Sequence, residues 1–362
     1  ICLFIAYFIQ NLAVFDSLVT YISLMLVLGY VYWLANADKI EAEPATSQGL
    51  TNKELAILAV AGLIFLSIIY QYNIRVFKML DGTIKGQFQF AKGDIAAGME
   101  EYKQALNLNT PLDRDSRASL VNTVNLRQEA LMALDKATAK EIADYAVNLA
   151  EANVKLNPQD SMMQMQLAQI LNTAAVINQD NQNKFYFYSD RALAAISESI
   201  KASPGRVTIY FSKAQMYIAR NDKANTIKTL KYAVSLNQKY PESVCYLAKV
   251  EIYFKEETEG YKSLDKCLDL GGVGSLNPLD FVKIVLNHYI AKKDEPRILA
   301  LYERWSALES GNAKIFVNLS LLYSQAGKND LAITAAKKAV ELDSSLRPAA
   351  EEFIKKLNTQ MR

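Results

Sequence analysis

Residues 313–342, AKIFVNLSLLYSQAGKNDLAITAAKKAVEL, decide the fold of this chain. Large apolar residues recur at helical spacing on both sides of Gly327, which predicts two helices joined by a short turn. Alanines at positions 332, 336 and 339 fall on one face of the second helix. Because small side chains let helix axes come close together, the stretch predicts a tightly packed antiparallel helix pair.

The same spacing recurs toward the N-terminus. In 313–346 a large residue occupies the fourth position, and small residues occupy the eighth, twentieth and twenty-seventh, which is the tetratricopeptide pattern. Shifts of 34 residues, with a four-residue insertion near 271–274, give further units of this kind. The residues that mark them are Gly86, Gly98 and Tyr102; Ala146 and Ala150; Leu167, Ala168 and Ala192; Tyr210, Ala214 and Ala233; Val244, Gly260 and Cys267; and Val282, Tyr289 and Ile298.

Roughly seven units therefore stack in series as an α-solenoid over residues 79–346. The units at 113–204 are irregular, and we expect a polar insertion of about a dozen residues at 175–186. Residues 347–362 are expected to form a capping helix and tail. A coiled coil is excluded because the period is wrong and turn residues recur too regularly.

The N-terminal part is apolar enough for membrane spans. Leu18–Ala35 and Leu55–Ile74 are uncharged runs of spanning length, and residues 1–15 resemble the remainder of a further span. The predicted organisation is the last spans of a membrane domain at 1–37, a polar loop at 38–53 and a transmembrane helix at 54–78. Buried core helices are the alternative interpretation. The predicted fold class is all-α, with two to three transmembrane helices followed by a tetratricopeptide-type solenoid.

Charge gives the predicted topology. Lys39 and Lys53 flank the loop between the two full spans, whereas the turn around Asp16 has no Lys or Arg. The positive-inside rule then places this loop in the cytoplasm and the repeats outside it. The basic residues that follow the last span favour the opposite orientation, although long domains translocate largely regardless of charge.

The sequence offers little catalytic chemistry. His288 is the only histidine, and its mid-helix position favours a half-exposed packing residue over a general base. Cys2, Cys245 and Cys267 lack metal-ligand spacing; the last two could meet within one helix pair, but buried free thiols are the favoured interpretation. The formal charge is +2, without a basic run that would indicate nucleic-acid binding. We expect no cofactor and no metal site.

A binding surface is the positive expectation. In such solenoids the first helix of each pair lines the concave face, and a protein or peptide is the expected ligand class. A spacer without any ligand is the alternative. The candidate binding residues are Thr208, Phe211, Gln215, Ile218, Glu242, Lys249, Ile252, Asp280, Lys283, Asn287, Lys314, Val317, Leu321 and Ser324.

Residues 6–35, AYFIQNLAVFDSLVTYISLMLVLGYVYWLA, resemble the end of the membrane domain in the O-antigen ligase and polymerase-like family. Many bacterial members carry a further span and a C-terminal tetratricopeptide region, as here. The resemblance implies a multi-span glycosyltransferase of the bacterial inner membrane that acts on undecaprenyl-diphosphate-linked glycans at its outer face. The family's catalytic arginines and histidine would lie upstream of Ile1, so this chain alone is expected to be inactive.

Two functional hypotheses follow. The first is the C-terminal part of such a glycan ligase or polymerase, whose external repeats recruit a protein partner or the acceptor. It expects a lipid-linked glycan to bind through the upstream domain and the bilayer to hold the chain. The second is a non-catalytic, membrane-anchored scaffold that organises an envelope complex. The coding sequence upstream of Ile1 distinguishes the two hypotheses.

Overall fold

The computed structural model describes residues 18–42 and 51–360, and the other residues lie outside the description. Two compact units are present, Ile1–Ile69 and Tyr70–Arg362. The described residues contain helices and turns and no strand, as the all-α prediction requires. The predicted remainder of a span at 1–15 and residues 43–50 of the predicted loop at 38–53 fall outside the described residues, whereas residues 38–42 of that loop belong to the helix Leu18–Ala42.

The first unit contains helices α1 (Leu18–Ala42) and α2 (Asn52–Ile69). A capping box begins α2: the Thr51 amide donates to Glu54 Oε2 at 2.8 Å, and the Glu54 amide donates to Thr51 Oγ1 at 3.3 Å. The side chains of α2 are all exposed within the unit except that of Ile69, which is half-buried.

One helix in the described part of the chain, within Asn52–Lys92, is long and apolar enough to cross a membrane. The described apolar stretch Ser23–Asn36 is helical but shorter than a span requires. By this measure the structure offers one candidate span where the sequence predicted two to three.

The second unit begins with a π-helical turn, Tyr70–Ile74, and continues as seven helix pairs. The first is α3 (Arg75–Lys92) with α4 (Ile95–Leu106), and the second is α5 (Asp113–Leu126) with α7 (Lys136–Leu156), separated by the short α6 (Gln128–Met132). The other pairs are α8 (Ser161–Ile177) and α9 (Gln182–Ala202); α10 (Val207–Ala219) and α11 (Lys223–Leu236); α12 (Pro241–Tyr253) and α13 (Glu257–Asp269); α14 (Leu279–Lys292) and α15 (Glu295–Leu308); α16 (Ala313–Gln325) and α17 (Asn329–Leu342).

The predicted small residues lie where helices of a pair touch. A Cβ on Gly98 would come within 2.4 Å of the Phe90 ring, and one on Gly86 within 2.6 Å of the Tyr102 ring. Both rings are almost completely buried and meet edge-on at 6.1 Å.

Many of the helices begin after an Asp or Asn whose side chain accepts a hydrogen bond from one of the first free backbone amides. These caps are Asp94, Asp135, Asp160, Asn181, Asp222, Asp294 and Asn312.

The predicted insertion of about a dozen residues at 175–186 is present as extra length, because Ser161 and Val207, where successive first helices begin, lie about a dozen residues further apart than in a regular repeat. The insertion lengthens the two helices of this pair and does not form a long loop. Helix α8 continues to Ile177, and α9 begins at Gln182, so four residues connect them. Ala174, Ala175 and Ile177 are buried, and this apolar burial extends the helix through the stretch.

The interpretation of Cys245 and Cys267 as free thiols is wrong. They form a disulfide between α12 and α13, with a Cα–Cα distance of 5.0 Å. This distance suits a disulfide, and it arises because the two helices pack closely. Gly272 packs on both sulfur atoms, and Gly272–Ser275 forms a 3₁₀ turn after Gly271, whose φ is 77°.

The final element, α18 (Arg347–Gln360), packs on the last pair after a 3₁₀ turn, Ser344–Leu346. Its Leu357 side chain is buried, whereas Glu351 and Glu352 are exposed. The predicted capping helix is present, and its charged outer face closes the apolar end of the stack.

Candidate functional site

The first helices of three consecutive pairs, α5, α8 and α10, surround a polar cavity of about 220 Å³. We call it the amide pocket, because Asn and Gln dominate its wall and no charged side chain lines it. Its lining residues are Asn122, Asn125, Leu126, Gln128, Gln169, Asn172, Thr173, Ser212, Gln215 and Met216.

Hydrogen bonds between neighbouring pairs orient the amide pocket. Thr173 Oγ1 donates to Asn125 Oδ1 at 3.0 Å, and Gln169 Nε2 donates to Ser212 Oγ at 2.8 Å. Asn125 Nδ2 and Asn172 Oδ1 are buried and make no hydrogen bond within the described protein. The wall is therefore cross-linked in a defined orientation, and one donor and one acceptor remain available.

A second cavity of about 210 Å³ shares the lining residue Gln215 with the first. We call it the aromatic pocket, and we call the two together the groove. Its wall combines aromatic rings with two opposite charges and the turn that follows the disulfide. The lining residues are Phe211, Gln215, Glu242, Cys245, Tyr246, Lys249, Ser275, Leu276, Asn277 and Phe281.

Burial sets the ionisation of two groups in the aromatic pocket. It raises the pKa of Tyr246 to about 12, and a hydrogen bond with Gln215 acts weakly in the other direction. Burial also lowers the pKa of Lys249, because the charged ammonium loses hydration. The Tyr246 ring contacts Phe211 edge-on at 5.3 Å. Glu242 accepts a hydrogen bond from Tyr240.

Four predicted candidates, Phe211, Gln215, Glu242 and Lys249, lie together in the groove. The other three on α10 and α12 lie elsewhere. Thr208 is exposed near the start of α10, and Ile218 is half-buried against the core between α10 and α12. Ile252 packs against α13, since a Cβ on Gly260 would lie 2.6 Å from its Cγ1. The structure places Ile252 between the two helices of its pair, where it is half-buried.

The candidates on α14 and α16 lie outside the groove. Asp280 and Asn287 are exposed, whereas Lys283 lies over the Trp305 ring at 5.3 Å. Val317 and Leu321 line a separate apolar cavity of about 180 Å³ that α18 closes.

Of the two remaining candidates, Lys314 is exposed and Ser324 is half-buried. Ligand contact by any of the candidates stays a prediction.

The amide pocket contains residues that the sequence analysis missed. Asn122 and Asn125, like Gln169 and Asn172, are spaced three apart on first helices. Asn favours caps and turns over helix interiors, so the three asparagines within these helices could have indicated this site.

His288 occupies a packing position, as predicted. Its ring stacks on Tyr261 with centroids 3.4 Å apart, and the side chain is half-buried. Loss of hydration lowers its pKa, and Lys292 adds to this effect. Within the described ranges, no three His, Cys, Asp or Glu residues come together in a way that could hold a metal ion.

Comparison with known proteins assigns the repeats. The tetratricopeptide repeat model matches residues 313–346, the stretch with which the sequence analysis began. Together with the seven helix pairs, this match to one repeat supports a tetratricopeptide-like α-solenoid, a class of domain suited to protein–protein interaction. A search of curated proteins by sequence found no match.

Several solved tetratricopeptide structures resemble the chain. TTC0263 of Thermus thermophilus is 14% identical, with coverage of 76% of this chain and 98% of that one and a TM-score of 0.34. Yeast Tom70 is 16% identical over 84% of this chain and 59% of its own, with a TM-score of 0.47. YrrB, described as having an unusual peptide-binding site, is 14% identical over 56% and 97%, with a TM-score of 0.33. Because the TM-scores are below 0.5, these similarities carry no argument about this chain's ligand.

Proposed function

We propose that this chain is a membrane-attached interaction module that binds an extended polypeptide segment in its groove. The observation that carries the proposal is that the amide pocket and the aromatic pocket share the lining residue Gln215. The first supplies uncharged hydrogen-bonding groups, and the second supplies apolar surface and charge. A polypeptide presents both kinds of group along one strand.

Lys249 supports a preference within that ligand class. Its pKa is lowered by burial, so its ammonium group is partly stripped of water. A ligand carboxylate within the aromatic pocket would compensate this lost hydration with a charge-assisted hydrogen bond. We therefore propose that the bound segment has an acidic residue at this end.

Membrane attachment rests on the first unit. The candidate span within Asn52–Lys92 is the main support, and the exposed apolar residues of α1, such as Leu26 and Tyr32, agree with it. Large apolar side chains that no protein group covers are stable in a lipid environment. We propose the bilayer of the bacterial inner membrane as the lipid partner of this unit.

The disulfide supports the extracytoplasmic placement that the lysine distribution predicts. Cys245 and Cys267 are both buried, and their bond connects the helices of one pair. Structural disulfides persist in oxidising compartments and are rare in the cytosol. We therefore propose that the repeats lie on the outer side of the membrane.

The finer proposal is that the chain forms the C-terminal part of an O-antigen ligase or polymerase-like glycosyltransferase. Its support is the resemblance of residues 6–35 and the order of spans followed by repeats. On this proposal a lipid-linked glycan binds upstream, and the groove recruits a partner or presents the acceptor. An upstream coding sequence with several further spans and a histidine-containing external loop would support it, and a start codon directly before Ile1 would refute it.

Site-specific photo-cross-linking in cells tests the groove. A photoreactive residue in place of Gln215 should give a discrete polypeptide adduct with the membrane-bound full chain. The same residue at Asn148, which is exposed on the second helix α7, serves as the matched control. Equal adducts at both positions, or an adduct at neither, would refute the proposed binding site.

A further inference from the structure

We infer that the amide pocket recognises the polypeptide main chain itself, independently of the ligand's side chains. This inference deepens the proposed function and rests on it. It assigns different tasks to the two halves of the groove. The amide pocket would hold any extended segment, and the aromatic pocket would select among sequences.

The first observation is the unused hydrogen-bonding capacity of two amides. Asn125 Nδ2 is a donor and Asn172 Oδ1 is an acceptor, and both lack partners within the described protein. A peptide group offers one acceptor and one donor, so a main chain complements the pair. The two atoms are shielded from solvent, and both residues line the cavity. The broad terminal torsion of Asn lets Asn172 turn toward a ligand, whereas Asn125 keeps its bond with Thr173 and the ligand must approach its NH₂ group.

The second observation is that the free groups have a defined identity. Thr173 Oγ1 donates to Asn125 Oδ1, so the oxygen of this amide is occupied and its NH₂ group is the one that remains. Gln169 is similarly fixed by Ser212 on the next first helix. Fixed amides lose less conformational entropy on binding than free side chains do.

The third observation is spacing. The amides come from three consecutive first helices, α5, α8 and α10. Packed helices are about 8–10 Å apart. An extended chain advances about 3.3 Å per residue, so three residues cover the same distance. A strand that crosses the helices therefore presents a main-chain group to each of them in turn.

The chemistry of the wall favours a polypeptide over other polymers. No aromatic ring lines the amide pocket, so a sugar has no face on which to stack. No lysine or arginine lines it, so a phosphate backbone has no counter-charge. Asn and Gln can bind sugar hydroxyls, however, and an oligosaccharide is therefore one arm of the test.

The experiment measures binding of three capped probes to the immobilised full chain in lipid nanodiscs. The probes are a twelve-residue Gly-Ser peptide, an N-methylglycine peptide of the same length, and a dextran oligomer. The N-methylated peptide keeps its carbonyl groups but has lost its main-chain donors. We expect the Gly-Ser peptide to bind, the N-methylated peptide to bind at least about threefold more weakly for each lost hydrogen bond, and dextran not to bind.

Variants locate the effect. Asn125→Leu and Asn172→Leu should each weaken Gly-Ser binding by about three- to tenfold, the range for one neutral hydrogen bond. Asn148→Leu, an equal substitution outside the groove, should leave binding unchanged. Unchanged helical circular dichroism would show that the variants fold. If Asn172→Leu unfolds, Asn172→Ala removes the acceptor without adding bulk and must still weaken binding.

The outcomes separate the two levels of the proposal. Equal binding of the Gly-Ser and N-methylated peptides would refute main-chain recognition, as would preferential binding of dextran. Absence of Gly-Ser binding would refute it too, while cross-linking at Gln215 could still support a peptide ligand that is held by its side chains. Loss of that cross-link would instead refute the proposed function.

Discussion

Removal of the Cys245–Cys267 disulfide should destabilise the helix pair α12–α13 and weaken binding in the aromatic pocket. The bond joins residues that are 22 positions apart. The chain-entropy relation for a loop of this length gives about 3 kcal/mol of stabilisation. Because each helix pair of a solenoid is stabilised mainly by its neighbours, we expect the loss to concentrate in α12 and α13.

The consequence for binding follows from the packing of Gly272. A Cβ on this glycine would lie 2.4 Å from Cys245 Sγ and 3.0 Å from Cys267 Sγ. The disulfide therefore supports the 3₁₀ turn Gly272–Ser275, and the last residue of this turn lines the aromatic pocket together with Leu276 and Asn277. Reduction should loosen this wall and leave the amide pocket, which the bond does not touch, unchanged.

Hydrogen exchange of the full chain, with and without reductant, measures the effect. Amides in α12 and α13 should exchange faster by up to about two orders of magnitude after reduction, which corresponds to about 3 kcal/mol. In the Cys245→Ala/Cys267→Ala variant the reductant should have no effect on these helices, which controls for its other actions. The denatured, unreduced protein should show one free thiol of the three cysteines. Three free thiols in protein isolated from its native membrane would refute the reasoning.

Three further predictions follow from the packing and the pKa values. Gly98→Leu should lower the free energy of unfolding by about 1–3 kcal/mol, because the new side chain would clash with the buried Phe90 ring. Gly205→Leu should have a much smaller effect, because the space around this glycine is open, and thermal denaturation compares the two variants. Tyr246 has its pKa raised to about 12, so its contribution to stability should be complete below about pH 10 and be lost as the pH rises toward 12; Tyr246→Phe should reduce this loss in alkaline denaturation curves. Lys249→Met should weaken binding of an acidic twelve-residue peptide by about tenfold, while Lys266→Met, on the exposed side of α13, should leave it unchanged. Equal peptide-binding curves for the two variants would contradict the proposed carboxylate contact.

The spacing of small residues was sufficient to predict the repeat architecture. Gly86 and Gly98 were placed at helix contacts because tetratricopeptide units need small residues there, and the structure has rings packed on both. Such positions are readable because the same steric requirement recurs in most units. Roughly seven units were predicted from this repeat, and the described residues form seven helix pairs followed by the helix Arg347–Gln360.

Features that depend on more than one unit were not readable. The sequence predicted the extra residues at 175–186 but not their conformation: burial of Ile177 and capping by Asn181 place them in two longer helices joined by four residues. To predict the pairing of the two cysteines, one needs the distance between the helix axes, and the spacing along the chain does not give this distance. The amide pocket was missed because the irregular units at 113–204 gave no frame in which Asn125 and Asn172 could be assigned to the same face.

The two pockets of the groove also differ in how they respond to pH and to redox conditions. Hydrogen bonds such as that between Thr173 and Asn125 hold the amide pocket, and these have no titratable or redox-active member. The aromatic pocket contains Lys249 and one sulfur of the disulfide, so its charge and its wall respond to their surroundings. Oxidising conditions support the turn at Gly272, and through it the surface that would select the ligand. Sequence-selective binding should therefore require that the repeats have reached an oxidising compartment, whereas main-chain binding should not. The module would then bind without selecting among sequences until it lies on the side of the membrane where we propose that it acts.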